Sequence, residues 1–129
     1  MILMDTHIFI WWVNNDPKLN PIYRKLLENE KEPVISVFTL WEIAKLNQIG
    51  KFQFNMPLEN WFVKVLKFHK INQIPLDIKI IVESSSLPGN FHKDPADQLI
   101  VATSRILDIE LMTMDEKILN YPHVKLVKV

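Results

Sequence analysis

Four acidic side chains have the type and the setting of a divalent-cation site: Asp5, Glu42, Asp97 and Asp115. Asp5 and Asp115 each follow a short apolar run, whereas Glu42 and Asp97 lie early in predicted helices. Carboxylates gathered in one place repel each other, so such a group needs a compensating positive charge. A hard cation that prefers oxygen ligands, Mg²⁺ or Mn²⁺, supplies it.

The chemistry of such a site would be phosphodiester hydrolysis. A divalent cation makes the water it binds more acidic and neutralises the charge that grows on a phosphoryl oxygen, and two ions can clamp the attacking and leaving oxygens. Four carboxylates without a cation would repel a phosphate. The sequence therefore predicts that this activity depends strictly on metal.

The elements that must position the acids are predicted to alternate between strands and helices. Short apolar runs predict strands at 2–4, 33–36, 73–76, 110–114 and 124–127. Periodic apolar residues predict the helices between them. This alternation is typical of an α/β fold with a parallel sheet and helices on both faces. Ligands of such sheets lie beyond the carboxyl ends of the strands, where we expect the four acids to meet.

Glu42 also has a purely structural interpretation. Thr39 and Glu42 have the spacing of a capping box, in which the glutamate reaches back to the first amide of the helix. Alternatively, Ser36 caps the helix, and the Glu42 side chain then lies a turn deeper and is free. The residues alone leave both possibilities open.

The other acids have similar alternatives. Asp94 before Pro95 is typical of an N-cap, and Asp97 would then occupy a position that the helix dipole favours. Asp5 can simply end its strand, and Asp115 can cap the turn that follows. Each signal is weak alone, and the shared placement at one sheet edge is what favours a site.

Composition narrows the function classes. The chain has 129 residues, 15 basic and 15 acidic side chains, no cysteine and two glycines. Disulfides, thiolate metal sites and a glycine-rich phosphate loop are excluded. The zero net charge argues against strong unspecific binding of nucleic acid. We expect a single domain over residues 1–129 in the cytoplasm. No membrane anchor or targeting segment is predicted, because the apolar N-terminal stretch lacks a basic region and contains Asp5 and His7.

Histidines and tryptophans give weaker signals. The four histidines have no ligand spacing, but His92 and Lys93, just before Asp94, could contact a phosphate or lie in a solvated loop. Trp41 and Trp61 are predicted to belong to the core.

The segments that carry these acids resemble a known family. MILMDTH, SVFTLWEIAKLNQIGK, HKDPADQLIVATS and LMTMDEKI occur in the order typical of PIN-domain proteins, and they closely resemble the VapC-like toxin ribonucleases of type II toxin–antitoxin pairs. The resemblance covers essentially the whole chain. It implies a three-layer α/β/α fold, Mg²⁺- or Mn²⁺-dependent cleavage of RNA, a homodimer and a cognate antitoxin partner.

The resemblance also implies roles for individual residues. Asp5, Glu42, Asp97 and Asp115 match the family's four metal-binding and catalytic acids. Thr6, Thr113 and Asp94 match supporting positions.

Two cationic side chains that are common in the family are missing. The family often has an aromatic residue and an arginine around the third acid, where this chain reads DPADQ, and a basic residue at the position of Met114. Lys45, Lys51, Lys93 and His92 are candidate substitutes for binding substrate.

Two other functions compete with a ribonuclease. An α/β phosphatase would use Asp5 as its nucleophile, but such haloacid-dehalogenase-like enzymes usually carry a second aspartate two residues later, where this chain has His7. A non-catalytic binding module would use the acids only to cap helices or to hold a partner.

Overall fold

The computed structural model of the chain describes residues 1–128. Within them, strands and helices alternate as predicted. The strands are β1 (Ile2–Met4), β2 (Pro33–Ser36), β3 (Asn72–Ile74) and β4 (Glu110–Met112). The helices are α1 (Thr6–Val13), α2 (Pro21–Glu28), α3 (Val37–Gln48), α4 (Leu58–Phe68), α5 (Ile78–Ser84), α6 (Pro95–Leu107) and α7 (Glu116–Leu119).

The sheet is parallel throughout these residues, with strand order β3-β2-β1-β4. Side chains alternate along β1, so that Ile2 and Met4 enter one hydrophobic cluster and Leu3 enters another. The first cluster includes apolar residues of α1 to α4, and the second includes residues of α6 and α7. Helices therefore cover both faces, and the predicted three-layer α/β/α fold is confirmed.

Strand β1 lies at the point where the order of the strands reverses. The chain runs from β1 outward through β2 to β3, and then crosses back to place β4 on the other side of β1. Such a reversal opens a crevice at the carboxyl ends of the two strands that flank it. Asp5 stands at the end of β1, so it lies at this crevice.

Several helices begin with the side-chain caps that the sequence predicts. Asn20, Asp77 and Asp94 accept hydrogen bonds from amides in the first turns of α2, α5 and α6. At α3, the Ser36 hydroxyl accepts the Phe38 amide at 3.1 Å, so Ser36 is the cap. The second of the two interpretations of Glu42 is therefore the correct one.

Three strand predictions were wrong in extent. β3 lies at Asn72–Ile74 and ends before Pro75, which has no amide to donate to the sheet. β4 ends at Met112, and the backbone carbonyl of Thr113 accepts the Tyr23 hydroxyl at 3.3 Å rather than an amide of a neighbouring strand. The predicted strand at 124–127 is only a single parallel bridge between Leu111 and Leu126.

Among residues 1–128, no helix combines the length and the apolar composition needed to cross a lipid bilayer.

Candidate active site

A cavity of about 410 Å³ opens at the carboxyl ends of β1 and β4. Its walls come from the residues that follow β1 and β4 and from the first two turns of α1, α3 and α6. The lining residues are Asp5, Thr6, His7, Trp11, Glu42, Asp94, Ala96, Asp97, Met114 and Asp115. All four acids singled out in the sequence therefore line one cavity.

Asp5 is the deepest of the four acids and is only 8% exposed. One carboxylate oxygen accepts the Thr6 amide at 2.7 Å, and the other accepts the Thr113 hydroxyl at 2.7 Å. Burial raises the pKa of Asp5 above its usual value, whereas these two hydrogen bonds act in the opposite direction. The carboxylate is therefore held in one fixed orientation, with Thr113 behind it.

Glu42 projects toward Asp5 from the second turn of α3. Its Oε1 accepts the Thr6 hydroxyl at 2.5 Å, and the same hydroxyl lies 3.1 Å from that of buried Thr39. Partial burial raises the pKa of Glu42, and the charges of Asp5 and Asp94 raise it further. Thr6 thus links the first acid to the second, because its amide binds Asp5 and its hydroxyl binds Glu42.

Asp94 and Asp97 lie at the start of α6 and make different contacts. Asp94 caps the helix, accepting the Ala96 amide at 2.9 Å and the Asp97 amide at 3.4 Å. Asp97 has an oxygen 2.9 Å from Nε2 of His92, an ion-pair distance. Burial raises the pKa of Asp97 to about 7, with further increases from the surrounding carboxylates.

Asp115 is the N-cap of α7, as its structural alternative predicted. Its carboxylate accepts the Lys117 amide at 2.8 Å, and its own amide donates to the Thr113 hydroxyl at 3.1 Å. It also faces the cavity, where its charge raises the pKa of both Asp5 and Asp97. Capping and facing the cavity are therefore compatible at this residue.

The donor set fits a hard divalent cation in its chemistry. Asp5, Glu42, Asp97 and Asp115 offer only oxygen ligands, and each of the first three has a raised pKa because a negative charge is costly there. Within residues 1–128, however, no three acidic or histidine side chains are already arranged to hold one ion. These acids instead contact amides, hydroxyls and His92, and their side chains would have to turn to bind a cation together.

The candidate substrate-binding residues lie outside this cavity. Lys45 lies on the wall of a neighbouring groove, and Lys93 is exposed in the loop before α6. The His92 ring faces Asp97 rather than solvent, so its contact is with one of the four acids.

Sequence analysis missed two residues of the cavity wall, His7 and Trp11. They lie four residues apart on α1, with ring centroids separated by 5.7 Å. The signal was their i, i+4 spacing directly after Asp5, which places both side chains on one helix face.

Comparison with known proteins identifies the fold family. The family model for the PIN domain matches residues 2–124. The chain belongs to the PIN domain family.

This PIN domain is similar along its whole length to proteins with names that indicate a function. It is 24% identical over 128 residues to ribonuclease VapC22 of Mycobacterium tuberculosis, a match that covers 99% of this chain and 97% of that protein. Among solved structures, it resembles VapBC2 of Rickettsia felis bound to a promoter DNA fragment, with 20% identity, a TM-score of 0.71 and coverage of 98% of both chains. A toxin–antitoxin complex of Klebsiella pneumoniae gives 19% identity and a TM-score of 0.69, over 99% of this chain and 97% of that one.

Proposed function

We propose that this PIN domain is a metal-dependent endoribonuclease and the toxin of a type II toxin–antitoxin pair. The observation that carries the proposal is the convergence of Asp5, Glu42, Asp97 and Asp115 on one cavity at the strand reversal. The similarity to a protein named as a ribonuclease and to the chains of toxin–antitoxin complexes supports it.

The proposed site residues would hold Mg²⁺ or Mn²⁺. Asp5, Glu42 and Asp97 would bind the main ion, and Asp115 would complete its ligands or support a second one. When bound, the cation would neutralise charge on the scissile phosphate and favour ionisation of water. This is consistent with the raised pKa values of three of the acids, because a cation removes the repulsion that raises them.

The remaining side chains of the site would orient the acids. Thr113 and the Thr6 amide fix the Asp5 carboxylate, and the Thr6 hydroxyl fixes Glu42. The Asp94 cap sets the first turn of α6 and therefore the position of Asp97. Without a cation, the clustered negative charge would keep a phosphodiester out of the cavity.

The proposal extends to partners and setting. A cognate antitoxin would keep the ribonuclease inactive, and the active form would be a homodimer of a single domain spanning residues 1–129, acting in the cytoplasm. The similarity to chains of toxin–antitoxin complexes supports the antitoxin partner.

The test is cleavage of RNA by the purified chain in MnCl₂. We expect the wild type to cleave single-stranded RNA and to stop in excess EDTA, and Asp5→Asn to abolish cleavage without loss of the far-UV circular dichroism spectrum. Asp108→Asn is the matched control, because Asp108 is an exposed acid at the end of α6 that does not line the cavity. Undiminished cleavage by Asp5→Asn or in EDTA would refute the mechanism. Calorimetry without any heat of Mn²⁺ binding would favour a non-catalytic module.

A further inference from the structure

A second cavity adjoins the acid cavity and has a different character. This groove, of about 880 Å³, shares the wall residues His7, Trp11 and Glu42 with the acid cavity. Beyond the shared residues, it is lined by Trp41, by the lysines Lys18, Lys45 and Lys51, and by the apolar side chains of Ile10, Leu46 and Phe52. We call it the lysine–tryptophan groove.

Trp41 is the most prominent aromatic residue of the lysine–tryptophan groove. Its side chain was predicted to lie in the core, but it is 54% exposed. Phe38, one turn earlier on α3, stacks against the indole at 5.2 Å and 27°, and this contact fixes the ring plane. The ammonium of Lys45 lies 5.3 Å from the ring centroid. Because Lys45 is exposed and has a long flexible stem, a flat ligand can replace it over the indole while the ammonium turns to an anion.

The charge of the groove indicates an anionic occupant. Lys18, Lys45 and Lys51 are all exposed, and within residues 1–128 none of them forms an ion pair. Of the two carboxylates on the groove wall, Asp16 accepts the Lys18 amide and Glu42 points to Thr6. The lysine ammonium groups are therefore available to phosphates.

We infer that the lysine–tryptophan groove binds the single-stranded RNA that flanks the scissile phosphate, with one base stacked on Trp41 and the backbone held by the lysines. This inference rests on the proposed function. Exposed aromatic faces interleaved with lysines match a strand in which bases alternate with phosphates. An acidic peptide would satisfy the lysines, but its carboxylates offer no flat ring to stack on the indole plane. The groove thereby replaces the basic residues that are missing around Asp97 and at Met114.

The test measures binding apart from cleavage. A fluorescein-labelled single-stranded RNA of ten nucleotides is titrated with the full chain in EDTA, and fluorescence anisotropy gives Kd. Trp41→Ala is expected to weaken binding ~5- to 150-fold, the range for one stacked base, whereas Trp41→Phe retains most of the affinity. Phe68→Ala is the matched control, because Phe68 is 79% exposed and does not line this groove. Its Kd should equal that of the wild type.

The contribution of the lysines is tested by measuring how RNA binding depends on salt concentration. Lys51→Ala is expected to lower the slope of log K against log salt by about 0.7, the value for one phosphate contact on a single strand. Lys31→Ala is the control. Lys31 is exposed just before β2, at the amino-terminal end of the strands, so its replacement should leave the slope unchanged. In MnCl₂, Trp41→Ala should raise KM for RNA and leave kcat nearly unchanged.

Each outcome separates this inference from the proposed function. Equal Kd values for wild type and Trp41→Ala, with RNA still cleaved in MnCl₂, would overturn the groove assignment and leave the nuclease intact. Trp41-dependent RNA binding without any cleavage would support the groove and refute the nuclease. Trp41-dependent binding of a labelled oligoglutamate peptide, with no binding of RNA, would overturn the inference and assign the groove to a protein partner.

Discussion

Hydroxyl groups of buried threonines determine how the acids of the cavity are held. The Asp5 carboxylate lies where a negative charge is poorly solvated, and two hydrogen bonds offset part of that cost. Thr113, 1% exposed, supplies one of them from the end of β4. The Asp5–Thr113 contact therefore couples the strand ends on both sides of the crevice.

Replacing Thr113 with valine tests this coupling. Thr113→Val keeps the volume but leaves Asp5 Oδ2 without its hydroxyl donor, and a lost hydrogen bond to a buried charged group costs about 1–3 kcal/mol. We expect the free energy of unfolding at pH 7 to fall by that amount in urea titrations. The difference should shrink at acidic pH, as the carboxyl group takes up a proton.

Thr103→Val is the control for this prediction. Thr103 is equally buried, but its hydroxyl donates to the Leu99 carbonyl of its own helix at 2.7 Å, so no charge depends on it. Its loss should cost less than that of Thr113. Equal losses for the two variants at every pH would contradict a special role for the Asp5–Thr113 contact.

The pKa of Asp97 predicts how stability depends on pH. In the folded chain, burial and neighbouring carboxylates raise this pKa to about 7, against 3.8 when unperturbed. The Asp97 carboxyl group therefore binds a proton more tightly in the folded chain than in the unfolded chain. This protonation stabilises the fold fully below pH 3.8, and the stabilisation is lost as pH rises through about 7. In EDTA, we expect Tm to fall over this window, and the fall to be smaller by a few °C in Asp97→Asn.

The neighbour of Asp97 defines the control for that measurement. His92 contacts the same carboxylate at 2.9 Å, so the Tm series is repeated in His92→Gln and in the double variant. Parallel Tm curves for wild type and Asp97→Asn, with His92 intact or replaced, would show that Asp97 does not titrate in this range.

Single residues were also where sequence analysis failed most clearly. Trp61 is buried as predicted, but Trp41 is exposed because its position on α3 faces away from the side that buries Ile43. The residue type alone does not show whether a tryptophan on a helix is buried. Burial depends on which face of the helix the residue occupies. The stacking of Phe38 on Trp41 has a local signal, because residues three apart on a helix lie on one face.

At the scale of elements, the first turns of helices do much of the positioning. Ser36 ends β2 and caps α3, so a single buried residue sets both the phase of α3 and the direction of Glu42. Asp94 does the same for α6 and Asp97. The capped helix starts therefore position the acids that these helices present to the cavity.

Removing the Ser36 cap should affect both stability and the site. Ser36→Ala takes away the acceptor of the Phe38 amide, which costs roughly 0.5–2 kcal/mol. Because α3 carries Glu42, we also expect weaker binding of Mn²⁺ by calorimetry. Asn20→Ala is the matched control, since Asn20 caps α2 in the same way and lines neither the acid cavity nor the lysine–tryptophan groove. If both variants bind Mn²⁺ equally, the cap of α3 has no role in positioning Glu42.

Helix starts and the bounds of β1 and β2 were predictable, whereas the ends of β3 and β4 were not. Asn20-Pro21, Asp77 and Asp94-Pro95 combine a side-chain acceptor with residues suited to a first turn, so local chemistry alone defines them. The extents of β3 and β4 depend on which neighbouring strand offers a partner, and that information is not local. The segment at 124–127 illustrates this, because it meets β4 at a single bridge only.

At the scale of the whole molecule, the parallel sheet gathers distant residues. Every strand of residues 1–128 runs in the same direction, so the strand ends and the following helix starts lie at one edge. This convergence was predictable from alternating strands and helices alone. The pairing of β1 with β4, rather than with β3, required the three-dimensional structure.

A cation that binds the gathered acids should stabilise the entire fold. A ligand specific for the folded state adds about 2.7 kcal/mol at 100 times its Kd, which for 129 residues is roughly 8–12 °C in Tm. We expect MnCl₂ to raise Tm in differential scanning fluorimetry, and Asp5→Asn to lose most of the shift. An equal concentration of NaCl is the control. A flat Mn²⁺ titration of the wild type would count against a shared cation site.

The central place of β1 also has a consequence for how the chain is made. Leu3 pairs with Leu111, and Asp5 needs the Thr113 hydroxyl, more than a hundred positions downstream. When the first ninety residues have been synthesised, the chain therefore contains Asp5 and Glu42 but neither Asp97 nor Asp115. Neither the geometry nor the charge of the crevice is complete until the segment around β4 emerges, so a prematurely terminated product would lack Asp115 and the Thr113 hydroxyl that holds Asp5.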